Sequence, residues 1–322
     1  MAMKNYISRG GEQVYAPPFV AEEVQFFGFW VRGTRETIQE KICDRYLNEP
    51  LGSGSQRFRP LLSHPLVVFN RIAAMYAKSP PDDIQGHHTE QECGIWLLVY
   101  DTETWDVYWY HPYMIVDNAH AFAMGREVYG FPKEYGWFGF TDGPKAPIEL
   151  TVHTVVTPVR YSKVVRAPLI RAYQTQASVA QTHPAHQKIE SAEALAAAIV
   201  KGFQVADDLF LEKDLKAESK AALMRKLQNL KLPFLFLKQI RDGVDPTRAC
   251  FQAIQVTDVA MTRFHSARLY AADYEVEIAD HFSHPIREDL GMIGAAPFPA
   301  SLPFWAKFDF EIRPTKELWR AP

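Results

Sequence analysis

The sequence predicts a β-rich domain of the α+β class, an antiparallel barrel or sheet interrupted by a helical insert at about 171–232. Three observations carry this reading. Runs rich in aromatic and β-branched residues recur from residue 24 to 156 and again from 234 to 312. Between them the spacing turns helical: Leu195, Ile199, Phe203 and Ala206 share one face, and Leu223, Leu227 and Leu230 mark a second helix stopped by Pro233. Strands on both sides of such a segment give one domain over residues 1–322, with no internal repeat.

Residues 1–20 are polar, end in Ala16-Pro17-Pro18 and read as an arm. Val24–Arg32 is the first strand. Thr34 is placed to cap a helix through Leu47, where Ile38, Ile42 and Tyr46 recur every fourth residue and Pro50 ends the run. Gly52-Ser53-Gly54-Ser55 is a loop; a phosphate cradle needs a strand running directly into a helix, and the pattern there shows none. Leu66–Ala77 is a strand broken by Ser79-Pro80-Pro81. A meander follows: Gly94–Tyr100, Trp105–Tyr113, His120–Arg126 and Trp137–Phe140, with turns at Asp101-Thr102-Glu103 and Asp117-Asn118. In Ile148–Val156, Ile148, Leu150 and Val152 alternate with Glu149, Thr151 and His153, the mark of a half-buried strand. Within the insert Gln174–Gln187 is polar and turn-like, Ser191–Phe210 is a helix, and Lys213–Lys220 is a charged linker. Strands return at Phe234–Arg241, Cys250–Val259, Ala260–Leu269, Tyr274–Ile278 and Phe304–Ile312.

Composition narrows the function. With 47% hydrophobic and 23% charged residues the chain can bury a sizeable core. Its net charge of -3 is spread along the sequence, without the basic stripe of a nucleic-acid binder. Cys43, Cys93 and Cys250 are odd in number and far apart, which fits a reducing, cytoplasmic setting rather than a disulfide framework. No apolar run is long enough to span a bilayer, so no membrane partner is expected.

The residues around Gly125-Arg126-Glu127-Val128-Tyr129-Gly130-Phe131-Pro132-Lys133-Glu134-Tyr135-Gly136 carry the chemistry. A lysine among aromatic rings is poorly hydrated and loses its proton more readily, and a neutral amine attacks a ketone to form a Schiff base. A surface lysine with its head in water is the bland counterpart. Two histidine clusters, His87-His88 with Glu90 and Glu92, and Asp280 with His281 and His284, lie in apparent loops and lack the helical spacing of a zinc site. No metal and no cofactor is expected. Cys93 reads as a buried thiol, and no nucleophile elbow or dinucleotide fingerprint occurs. The aromatic run Trp96, Trp105, Tyr108, Trp109, Tyr110 and Tyr113 reads as core filling, one face of which can wall a pocket holding Lys133.

From Asp117-Asn118 through Gly125-Arg126-Glu127 to Phe131-Pro132-Lys133 the chain resembles the acetoacetate decarboxylase family. The likeness continues at Asn48-Glu49-Pro50-Leu51, Glu92-Cys93-Gly94, Leu237-Lys238, Asp242-Gly243, Ile254–Val259 and Arg268-Leu269. It implies that fold, a homo-oligomer, and a carbon–carbon lyase that decarboxylates a 3-oxo acid through an iminium on Lys133. Within it Glu92 is the candidate acid and base, and Arg126 the candidate holder of a substrate carboxylate. Tyr129, Phe131 and Glu127 complete the expected substrate-binding set, Glu127 by orienting the block. Two departures stand out: Glu134 occupies the place of a second family lysine, and Phe69-Asn70 that of a Phe-Glu pair. They leave open an aldolase-dehydratase or cyclase acting on a pyruvate-like 2-oxo acid, and a binding barrel without catalysis.

Imine formation near neutrality requires the lysine, ordinarily at about 10.4, to fall by about three units, or roughly 4 kcal/mol of disfavoured ammonium. Apolar surroundings or a neighbouring cation are the known means in acetoacetate decarboxylase. Here the expected sources are burial by Tyr129, Phe131 and Trp137 and the charge of Arg126, with Glu134 on the opposite face of an extended segment.

Overall fold

A computed structural model describes residues 5–7, 14–141, 143–144, 148–175, 187–205, 233–271 and 273–321. The second expected helix (Leu223, Leu227, Leu230), the Lys213–Lys220 linker and nearly all of the Gln174–Gln187 turn segment lie outside the described residues.

Strands dominate: β1 (Phe19–Trp30), β2 (Phe58–Pro60), β3 (Leu66–Ala77), β4 (His88–Asp101), β5 (Val107–Val116), β6 (Lys133–Phe140), β7 (Glu149–Val156), β8 (Val165–Gln174), β9 (Gln187–Ile189), β10 (Phe234–Arg241), β11 (Ala249–Thr257), β12 (Val259–Leu269), β13 (Tyr274–Ile278), β14 (Phe298–Pro299), β15 (Ser301–Ile312) and β16 (Lys316–Arg320). They form one sheet in the order β14-β13-β8-β7-β6-β5-β4-β3-β1-β15-β12-β9, with β2, β10, β11 and β16 attached off this path. The sheet is mixed rather than wholly antiparallel, because β5 pairs in parallel with both β6 and β10. Strands from either side of the insert are thereby neighbours, β1 lying between β3 and β15.

Period-two alternation sorts the side chains onto two faces. On β1, β3 and β4, Phe27, Val67, Phe69, Cys93 and Ile95 enter one apolar core. Their sequence neighbours Phe26, Val68, Trp96 and Leu98 enter another on the opposite face, together with Trp30 and Phe304. The buried reading of Cys93 is matched by its full burial.

Two local readings change. Residues 120–126 are not a strand: helix α2 (Ala119–Met124) runs into a π-helical turn, Gly125–Tyr129. Asn118 is its cap, accepting hydrogen bonds from the backbone N–H groups of His120 and Ala121. The helix after β1, α1 (Arg35–Ile38), continues π-helically as Gln39–Asn48; Thr34 sits at its N-cap position, but its side chain makes no capping hydrogen bond. The Thr34 hydroxyl donates instead to the carbonyl of Gly291 at 2.7 Å, tying the helix start to a distant turn. A third helix, α3 (Ala192–Val205), lies in the insert. Among the described residues no helix is long and apolar enough to cross a membrane.

Candidate active site

Lys133 is the first residue of β6, and local chain geometry presents it. Gly130 sits at φ +95, a left-handed conformation that a glycine adopts without strain, and ends the π-helical turn. The N–H groups of Gly130 and Phe131 both donate to the carbonyl of Gly125 at 2.9 Å, folding the Phe131-Pro132 segment back onto the sheet. The backbone of Lys133 then pairs in parallel with Met114 of β5.

β5 separates β6 from β4, where Glu90 and Glu92 share one face. Two strand spacings, about 10 Å, are within reach of long side chains extended toward each other. The ammonium Nζ of Lys133 lies 2.9 Å from Glu90 Oε1 and 2.7 Å from Glu92 Oε1. Asn70 of β3 donates to Glu92 Oε2 at 3.4 Å, and its own Oδ1 has no hydrogen-bond partner among the described residues. All four side chains are buried, Lys133 at 5% exposure.

This arrangement overturns the expected electrostatics. Burial alone pushes the Lys133 ammonium down, but the charges of Glu90 and Glu92 and hydrogen bonds to both outweigh it and hold the group above its ordinary value. Burial, with the charge of Glu90 adding to it and Lys133 opposing, pushes Glu92 up to about 8. One cation between two acids in an apolar interior is most stable with a single carboxylate charge, so the second acid keeps its proton. Nearby, burial lowers His88 to about 4 and His111 to about 3, with the positive charge of Lys133 adding to both shifts. Both rings are therefore neutral at pH 7. His111 packs among Trp96, Phe131 and Phe234, its two nitrogens unpartnered among the described residues.

The triad opens onto a cavity that leaves about 190 Å³ to the centres of water-sized molecules. Glu90, Glu92 and Lys133 are the charged residues among its described lining, and the rest is overwhelmingly aliphatic and aromatic. Tyr129 and Phe131 line it as expected, and the Lys133 Nζ lies 5.4 Å from the centre of the Phe131 ring. Trp96 and Trp109, from the aromatic run, also form wall.

Other expectations need correction. Arg126 is exposed and does not line the cavity; its Nη1 donates to the carbonyl oxygen of Lys133 at 3.0 Å, so it grips the backbone rather than a substrate carboxylate. Glu127 is exposed too. Trp137 meets Tyr135 edge to face, lies under the Arg166 guanidinium and does not line the cavity. Glu134 points to the opposite face of β6, as alternation requires, and its Oε2 lies 2.8 Å from Nε2 of the buried His284.

His88, Glu90 and Glu92 belong to a strand rather than a loop. Glu90 and Asn70 were missed as site residues. The i, i+2 spacing of Glu90 and Glu92 was the available signal, since on a strand it places both acids on one face. One trio among the described residues has ligand atoms close enough to share a metal ion: Glu23, His265 and Asp309, all within 4.8 Å of one another. These residues do not line the cavity. His265 Nε2 lies 3.0 Å from Asp309, and Glu23 is paired with Lys307.

The acetoacetate decarboxylase (ADC) family pattern matches residues 54–295. The chain belongs to the acetoacetate decarboxylase family. Solved structures agree on the fold. An acetoacetate decarboxylase from Legionella pneumophila superposes with a TM-score of 0.61 at 13% identity, covering 99% of this chain and 93% of that one. The enduracididine biosynthesis enzyme MppR, complexed with pyruvate, gives 0.58 at 11% identity over 96% and 93% of the two chains. An acetoacetate decarboxylase-like enzyme from Sphingomonas wittichii gives 0.55 at 8% identity over 99% and 100%. No curated protein matches the chain. On this fold Lys133 and Glu92 meet at 2.7 Å, and Asn70 of β3 faces Glu92.

Proposed function

We propose that this protein is a Schiff-base-forming carbon–carbon lyase that decarboxylates a 3-oxo acid on Lys133. The carrying observation is the buried Nζ of Lys133, within 3 Å of two carboxylates at the polar end of an apolar cavity. Lys133 must give up its proton against the pull of the two acids; Glu90, its partner at 2.9 Å, is the acceptor at hand, and the freed amine attacks the substrate ketone. Glu92, which carries a proton near neutrality, delivers it to the departing oxygen as water leaves. The iminium then accepts the electron pair released when the C–C bond to the carboxylate breaks; CO2 departs and an enamine remains. Glu90 returns its proton to the enamine carbon, water hydrolyses the imine to a ketone and the free lysine, and Glu92 regains its proton from solvent.

Decarboxylation is favoured over aldol chemistry by the charge of the wall. Lys133 is the one cation among the described lining residues, and it is consumed in the imine. A carboxylate in apolar surroundings beside an acid is poorly stabilised, and losing it as CO2 relieves that cost. An aldolase must instead retain the carboxylate of a 2-oxo acid through every step, which calls for a cation to hold it. The paired acids do supply the base and acid of the aldol route, so a pyruvate-like substrate is the second reading.

Borohydride reduction in the presence of acetoacetate or pyruvate, followed by peptide mass analysis, tests the imine. An adduct on Lys133 with the 3-oxo acid and release of CO2 support the decarboxylase. An adduct with pyruvate and carbon–carbon bond formation with an aldehyde, without CO2, would shift the assignment to the aldol type. No adduct with either ketone at any pH up to lysine's own value would leave a binding barrel.

A further inference from the structure

We infer that the substrate is a 3-oxo acid bearing a long hydrophobic tail, bound with its reactive end at Lys133 and its tail along the cavity toward α3. This deepens the reading above and rests on it for the reactive end alone. The charged wall residues are confined to one end, where Glu90, Glu92 and Lys133 touch one another. On β4 the same face continues from Glu92 to Trp96 and Leu98. Six residues of strand span roughly 20 Å. On β3 the wall runs from Asn70 to Leu66, roughly 13 Å by the same rise. Leu195, Ile199 and Val200 of α3 contribute to the wall as well. Acetoacetate offers one methyl group to such a surface. An apolar cavity of this length gains most from a ligand that removes its wall from water along its whole run.

Methyl ketones, the products of such decarboxylations, are stable probes that form the same imine. A homologous series from acetone through heptanone to tridecanone is titrated against the full chain in two ways. One is borohydride trapping on Lys133; the other is quenching of tryptophan fluorescence without reductant, since Trp30, Trp96 and Trp109 line the cavity. The expected result is half-saturation falling about fourfold per added methylene over several homologues, the equivalent of ~0.8 kcal/mol each. Ile199→Trp, which occupies the α3 end, is expected to compress the series, weakening the long ketones more than the short ones.

The two readouts separate the inferences. Tail-dependent quenching with no adduct upholds the hydrophobic substrate and removes the imine. An acetone adduct with flat or falling affinity along the series upholds the imine and overturns the hydrophobic substrate. Flat quenching with no adduct overturns both.

Discussion

A Cβ atom on Gly125 would lie 2.5 Å from Cδ and 2.8 Å from Cε of Lys133. The Lys133 stem therefore lies directly against the π-helical turn, in space that only a glycine leaves open. Replacing Gly125 with alanine forces the stem aside, with overpacking strain of about 1–3 kcal/mol. Gly125→Ala is expected to retain the fold by circular dichroism and to slow borohydride trapping of acetone at least tenfold. Unchanged trapping would show that the lysine has room to move.

Above about pH 8 both acids are charged and hold the proton on Lys133, so removing either is expected to release it there. An opposite charge at this distance commonly shifts a partner by about one to three units. Glu90→Gln is expected to move the half-point of a cyanoborohydride trapping profile to lower pH by about that amount. Glu92→Gln is expected to move it the same way while slowing dehydration of the carbinolamine, because the proton donor is gone. A shift toward higher pH in Glu90→Gln would contradict the charge assignment.

Stability carries the same signature. Glu92 is raised from its ordinary 4.5 to about 8. Between those values the folded protein holds a proton that the unfolded chain has released, so this group makes stability fall as pH rises. Lys133, raised as well, contributes stability that is present below its unfolded value near 10.4 and is lost in the alkaline range above it. Thermal melts from pH 5 to 8 are expected to show a shallower decline for Glu92→Gln than for the natural protein; parallel curves would place the proton elsewhere.

Glu134 faces His284 on the other side of β6, so its charge is not part of the site. Glu134→Lys recreates the lysine pair of the decarboxylases in sequence without delivering a second cation to the cavity. The trapping profile is expected to stay within about 0.3 unit of the natural protein, below the one-unit scale of a direct charge contact. The melting temperature is expected to fall, through loss of a partner for a buried ring worth about 1 kcal/mol. An acid shift of the profile would mean that the two faces communicate.

Much of the sheet was legible because its strands advertise themselves. Leu66–Ala77, Phe234–Arg241 and Tyr274–Ile278 form with the bounds their composition predicts. β8 was missed because Arg166, Pro168 and Arg171 interrupt its apolar pattern, as a partly exposed strand permits. Ala119–Met124 is too short for helical periodicity to declare itself, and Asn118 signals a cap and a turn equally well. Lys133 was legible from its motif. Its tie to Glu90 was not, since 43 residues separate them and only sheet register brings them together. Inward polar residues at the start of β4 imitate a loop, which hid His88 and Glu90.

Lys133 and its two acids come from β6 and β4, whereas Leu195, Ile199 and Val200 come from a helix in a separate stretch of chain. The charged and the apolar ends of the cavity are thus built by different segments. Substitutions in α3 can therefore reshape the cavity wall while leaving Lys133 and its two acids unchanged.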